Sequence, residues 1–227
     1  MKAEYLILDL IILACPFIVH FIRPKYKLIP LRELAVPILL PTFLYCIWDF
    51  FVVNYFWIFN PKYNLGLLLL NVPVEEMFFF LVVSYSYLFL FRHFPYGSKK
   101  PVLQLRSLYP IIILILAIIG RTAVIHHLTY TAMVLGVLCI ILFIDFLWQS
   151  HLFITPRFLI FLIFIFLLTT VFNLYLTARP IVIYNEALKT NLNLWTIPLE
   201  DYILGLSLIS LNCILFTKLN NRDKHND

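Results

Sequence analysis

Seven long apolar runs, separated by short polar connections, decide what this chain can fold into. They cover Tyr5–Phe21, Leu34–Val53, Pro73–Phe91, Leu108–Thr122, Tyr130–Trp148, Phe158–Leu176 and Pro198–Phe216. Each approaches the roughly 20 apolar residues that an α-helix needs to cross the hydrocarbon of a bilayer. Inside lipid every backbone N–H and C=O must find an internal partner, so only helices and closed barrels span. Barrel strands alternate apolar and polar positions over about ten residues. These runs are longer and unbroken, and the expected fold is all-α: a polytopic membrane helical bundle of seven transmembrane helices. Charged residues make up 13% of the 227 and hydrophobic ones 63%. A soluble domain carries about 25% charged residues.

Positive charge gives the expected orientation. Of the 17 lysines and arginines, only Lys2, Lys62, Arg121, Arg179 and Lys189 fall on one side of this layout. The positive-inside bias then puts the amino terminus outside and the carboxy terminus in the cytoplasm of a multi-pass cell-membrane protein. The net charge of +5 follows from that topology, and no basic domain is present to bind nucleic acid. The first segment, MKAEYLILDLIILACP, reads as a retained helix, because Glu4 and Asp9 break the charge pattern of a leader peptide.

Several chemistries find no support. The four cysteines lie scattered in apolar runs without CxxC spacing, which suits free buried thiols. The six histidines lack HxxxH or HExxH spacing, and His126-His127 reads as an interfacial loop pair, so no metal is expected. No phosphate-cradling loop or dinucleotide fingerprint occurs among five glycines, so no cofactor is expected either.

The chain also repeats itself. Shifted by 125 residues, Pro73-Val-Glu-Glu falls on Pro198-Leu-Glu-Asp, Asn71 on Thr196, and NPKYN (60–64) close to IVIYN (181–185). Asp49 falls one residue from Asn173. Two three-helix units, 1–94 and 128–218, are thus expected around a linker with the fourth helix, 95–127, ahead of a polar tail, 219–227. The extra helix makes the units parallel, so both acidic pairs open their helices on one side and can face each other across a pseudo-twofold axis.

Asn71 and Thr196 are expected to cap the third and seventh helices, with the prolines in the first turn. Adjacent helical residues diverge by about 100°. In each pair, Glu75-Glu76 and Glu200-Asp201, one carboxyl is therefore expected to face a cavity and the other a neighbouring helix or the interface. Ionisable residues at membrane depth are functional candidates by default, and Asp49 is a third such acid. Asp9 and Asp145, lacking matching partners, read as packing or interfacial residues. One protonated acid beside one ionised base, with aromatic walls to stabilise a carbocation, is what protonation of a carbon–carbon double bond requires. A proton- or ion-coupled transporter is the competing reading, since it too needs membrane acids and repeats.

The motifs WDFF…FNPKYNLG…PVEEMFFF (48–80) and FNLYLT…PIVIYN…TIPLEDYI (172–203) resemble the membrane-integral lycopene cyclases of bacteria and archaea. This resemblance spans nearly the whole chain. It implies non-redox, acid–base cyclisation of the linear ends of lycopene to β-ionone rings, by way of γ-carotene. It makes Glu75 or Glu200 the expected proton donor, with Glu76, Asp201 and Asp49 next for base or electrostatic support. It marks Trp48, Asn60, Phe79, Asn173 and Tyr184 as candidate substrate contacts. The implied partners are the carotenoid substrate, the lipid bilayer and other enzymes of carotenoid synthesis.

Overall fold

A computed structural model describes residues 2–223 of the chain. Seven long helices account for the apolar runs: α1 (Glu4–Ile22), α2 (Leu31–Val52), α3 (Val74–His93), α4 (Leu108–Ile125), α5 (Thr129–Leu147), α6 (Pro156–Ala178) and α7 (Leu199–Asp223). Each is long and apolar enough to cross a membrane. The fourth, the shortest run in the sequence, gains length from a 3-10 turn over Leu103–Ser107 that leads into it. Of the expected polar tail, residues 219–223 continue α7, and residues 224–227 lie outside the described residues.

One end of the bundle carries six very short strands: β1 (Trp57–Phe59), β2 (Leu68–Leu69), β3 (Val72–Pro73), β4 (Val182–Tyr184), β5 (Asn193–Leu194) and β6 (Ile197–Pro198). The antiparallel pairs β2–β3 and β5–β6 immediately precede α3 and α7. They correct the expected caps. A residue before proline is steered to extended backbone, so Val72 and Ile197 join strands and the helices start only at Val74 and Leu199. Pro73, with φ −61° and ψ 142°, holds the cap position of α3 without a side-chain cap. Asn71 is instead in the hairpin turn, where Leu70 and Asn71 both take positive φ (48° and 70°), the geometry a two-residue hairpin favours. Thr196 lies in the equivalent turn and meets the Thr177 hydroxyl at 2.6 Å.

The strands also locate the twofold axis. β1 pairs with β4 antiparallel in the register Trp57↔Tyr184, Ile58↔Ile183, Phe59↔Val182. A shift of 125 residues converts Ile58 into Ile183 and exchanges the two flanking pairs, so the dyad passes between Ile58 and Ile183. This pairing brings the ends of α2 and α6 together with the starts of α3 and α7. Units that point the same way can be related only by an axis along the bundle, as the odd number of helices between the repeats requires.

Helices α3 and α7 pack on each other at the centre and are among the most buried, while α4 lies outermost against α5. On α2 the inward stripe is Leu34, Pro37, Ile38, Pro41, Thr42, Tyr45, Asp49 and Val52, the spacing of one helical face. That phase turns Asp49 inward. The packing of the second helices breaks the symmetry. α2 packs along α7, but its counterpart α6 keeps its backbone away from α3. Side chains bridge that gap only lower down, through Tyr87 to Thr169 at 3.3 Å and through Phe91 against Phe158 and Phe161.

Asp145, fully buried near the end of α5, packs as expected. It accepts the backbone N–H groups of Leu152 (3.1 Å) and Phe153 (3.2 Å) and the Tyr109 hydroxyl of α4. Removing an acceptor that serves three buried donors costs about 2–3 kcal/mol. Asp145→Ala should therefore lower the thermal unfolding midpoint in detergent clearly, and Tyr109→Phe by about a third as much. Unchanged midpoints in both variants would contradict this role.

Candidate active site

The gap between α6 and α3 is a cavity of about 110 Å³. Its roof is the β1–β4 pair, through Trp57, Phe59, Val182 and Tyr184, and its floor is the Tyr87–Thr169 contact. Glu76 and Tyr87 both line it. They stand eleven residues apart on α3, which gives a depth of about 16 Å at 1.5 Å per residue. The walls are aromatic and aliphatic, and three carboxyl groups reach them: Asp49 from α2, Glu76 from α3 and Asp201 from α7.

Two of these acids are held in the same way. Tyr5, on α1, donates its hydroxyl to Glu76, and Tyr130, on α5, donates to Asp201 at 2.7 Å. Tyr5 and Tyr130 are themselves 125 residues apart, so the phenol–carboxyl pair belongs to the repeat. Each pair ties the first helix of a unit to its third. Asp201 takes a second phenol, Tyr184 of β4, on its other oxygen. The position matching Tyr184 in the first unit is Phe59, so Glu76 has no such second donor. Asp49 is 1% exposed, and its Oδ2 has no hydrogen-bond partner.

The first member of each acidic pair turns away. Glu75 Oε1 accepts the backbone N–H of Leu65 at 2.6 Å, and Glu200 Oε1 accepts that of Thr190 at 2.9 Å. Both reach back ten residues and pin the connection that returns to the hairpin. Glu200 also accepts the hydroxyls of Thr131 (2.6 Å) and Thr190 (2.8 Å). Neither Glu75 nor Glu200 lines the cavity, although sequence reasoning placed the proton donor there.

The expected substrate contacts divide. Phe79, Asn173 and Tyr184 line the cavity. Trp48 packs among Val52 and its neighbours instead, and Asn60 serves its own loop, accepting the Lys62 N–H at 3.1 Å. Asp9 is fully buried one turn along α1 from Tyr5, with neither carboxyl oxygen partnered, and so is not interfacial. Sequence reasoning missed Tyr5 and Tyr130; extending the 125-residue offset into the first helix finds them. At the rim, α1 and α6 are clasped by Glu4, which takes Arg179 Nη2 on both oxygens at 2.9 Å, Arg179 Nε at 3.1 Å and the Tyr175 hydroxyl at 3.2 Å. Among the described residues no His, Cys, Asp or Glu cluster has the makings of a metal site.

A sequence model of one protein family, described as lycopene cyclase, matches residues 3–94 and 127–219. These segments are the two three-helix units, with α4 between them. Comparison with curated proteins and with solved structures gives no match.

Tyr184 sits outside the spanning helices. Burial, and then the Asp201 carboxylate beside it, push its phenol well above the ordinary value of about 10. A group that binds its proton more tightly when folded stabilises fully below its unfolded pKa, and this contribution is lost as pH rises through the folded value. In an ultraviolet titration, Tyr184→Phe should thus remove no phenolate absorbance from the folded protein up to about pH 11. A missing signal near pH 10 would count against the buried phenol–carboxylate contact.

Proposed function

The chain belongs to the lycopene cyclase family, and we propose that it closes the linear ends of lycopene into β-ionone rings, by way of γ-carotene to β-carotene. The observation that carries this reading is the pair of phenol-held acids, Glu76 and Asp201, facing one aromatic-walled cavity from two halves of the bundle. The reaction is an isomerisation. A proton is added to one carbon of the substrate, another is removed from a second carbon, and no electrons leave.

Glu76 is assigned the proton donor. Tyr5 engages only its Oε2, which leaves Oε1 to carry the transferable proton into the cavity. Protonation of the terminal double bond produces a tertiary cation. The next alkene of the chain attacks it, a carbon–carbon bond closes the six-membered ring, and the positive charge moves into the ring. Trp57, Phe79 and Phe80 line the cavity, and aromatic rings stabilise cations through their faces. Asp201 is assigned the base, because its two phenol donors, Tyr130 and Tyr184, support an anion. It removes the proton that sets the ring double bond. Return of a proton to Glu76, with Asp49 on the same wall, restores the enzyme. Glu75 and Glu200 hold the loops that fix where α3 and α7 begin, and so aim their neighbours.

The transporter reading called for helices broken at mid-membrane, whereas α3 and α7 run unbroken past the cavity. Charge supports an orientation with the acids at the outer face and α7 ending in the cytoplasm. The substrate then enters from the bilayer in which it is dissolved, with other enzymes of carotenoid synthesis supplying it there.

Positioned acid–base groups contribute about 10²–10⁴-fold to such steps. Glu76→Gln and Asp201→Asn, produced at wild-type levels in the membranes of a lycopene-making host, should each lower cyclic pigment by about 100-fold or more on that scale. Glu75→Gln and Glu200→Gln should keep measurable ring formation in a less stable protein. The reverse pattern, read from extracted pigments, would return the donor role to Glu75 or Glu200.

A further inference from the structure

At the opposite end of the bundle a second cavity, of about 980 Å³, opens among the helix connections. Its lining sets four cationic side chains, Arg32, Arg92, Lys99 and Arg157, against one carboxylate, Glu33. Two of the cations are already engaged. Arg157 donates from Nε and Nη2 to the carbonyls of Phe91 (2.7 Å), Phe94 (3.1 Å) and Arg92 (3.2 Å) at the end of α3. Arg92 Nη1 meets Glu33 at 2.9 Å. Among the described residues the Arg32 and Lys99 side chains have neither an ion pair nor a hydrogen bond.

The same wall contains two orphans. Ser150 Oγ and His151 Nδ1, from the turn after α5, are buried without any hydrogen-bond partner. Buried polar atoms in folded proteins nearly always have one. A hydroxyl, an imidazole and two free cations around one chamber call for an anion with several acceptor oxygens. A phosphate group has that character. The cyclisation chemistry uses none of these residues, and the aromatic cavity lies at the other end of the helices.

The volume and the position argue for what carries the phosphate. The chamber far exceeds the needs of a lone ion. It is framed by the start of α2 and of α6 and by the ends of α3 and α7, with Phe91, Phe158 and Phe216 lining it from the spanning helices. Basic pockets between transmembrane helices at headgroup level take anionic lipids. We propose that this cavity binds a phosphate group, presented by the headgroup of an anionic phospholipid.

The test uses the purified full chain in neutral detergent, with the unfolding midpoint followed during titration with phosphatidylglycerol, phosphatidylcholine or inorganic phosphate. Phosphatidylglycerol should raise the midpoint saturably and phosphatidylcholine should not. The double variant Arg32→Gln/Lys99→Gln should weaken the apparent affinity by about tenfold or more, on the scale of two lost cation contacts. Lys62→Gln, at the acid end, should leave it unchanged. Inorganic phosphate acting as strongly as the lipid, with the same loss in the double variant, would keep the phosphate site but assign it to a soluble anion. An equal response to both lipids, or an unchanged affinity in the double variant, would overturn the proposal.

Discussion

Most of the buried carboxyl groups in this apolar bundle are held by donors from another part of the chain, and much of the molecule's architecture follows from how those donors are supplied. Tyr5 and Tyr130 reach across from α1 and α5 to Glu76 and Asp201. The same contacts therefore bind the outer helix of each unit to its central one. A hydrogen bond to an anion such as Asp201 contributes about 1.5–3 kcal/mol and one to a protonated carboxyl such as Glu76 about 0.5–1.5 kcal/mol, so the pairs that equip the site also help to assemble it. Glu75 and Glu200 apply the rule to the loops, where backbone N–H groups are the donors.

Duplication supplies the frame and divergence supplies the chemistry. The β1–β4 register is symmetric about Ile58 and Ile183, and the two phenol–carboxyl pairs are related by the same offset. Departures from symmetry cluster around the cavity. Tyr184 gives Asp201 a second phenol where the first unit has Phe59, and Asp49 occupies the wall near the place that Asn173 takes in the second unit. A perfectly symmetric pair of acids would be chemically equivalent. These substitutions make the two carboxyl environments differ, which an acid and a base acting on one substrate require. The withdrawal of α6 from α3 opens the room in which they meet.

Much of this was legible in the sequence, because hydrocarbon imposes a length and a composition that the seven runs plainly satisfy. The repeat was equally plain at PVEE and PLED. What the sequence did not disclose is helical phase. Neighbours on a helix point about 100° apart, so which acid of a pair faces inward depends on where the helix begins. That boundary is set by hairpins whose strands are two residues long, too short to leave a periodic signal. Once Val72 and Ile197 are drawn into strands before their prolines, α3 and α7 start later than a cap at Asn71 or Thr196 would allow, and Glu76 and Asp201 face the cavity. Trp48 was misplaced for a related reason: the inward stripe of α2 runs through Tyr45, Asp49 and Val52, which puts Trp48 off the cavity wall.

The most direct measurement is an experimental structure of the protein with a linear carotenoid, or an unreactive analogue, bound in a membrane mimetic. The end group is predicted beneath the β1–β4 roof, with the Glu76 and Asp201 carboxyl groups on either side and its polyene running toward Tyr87. Density for the end group beside Glu75 or Glu200, or outside the space between α3 and α6, would contradict the account.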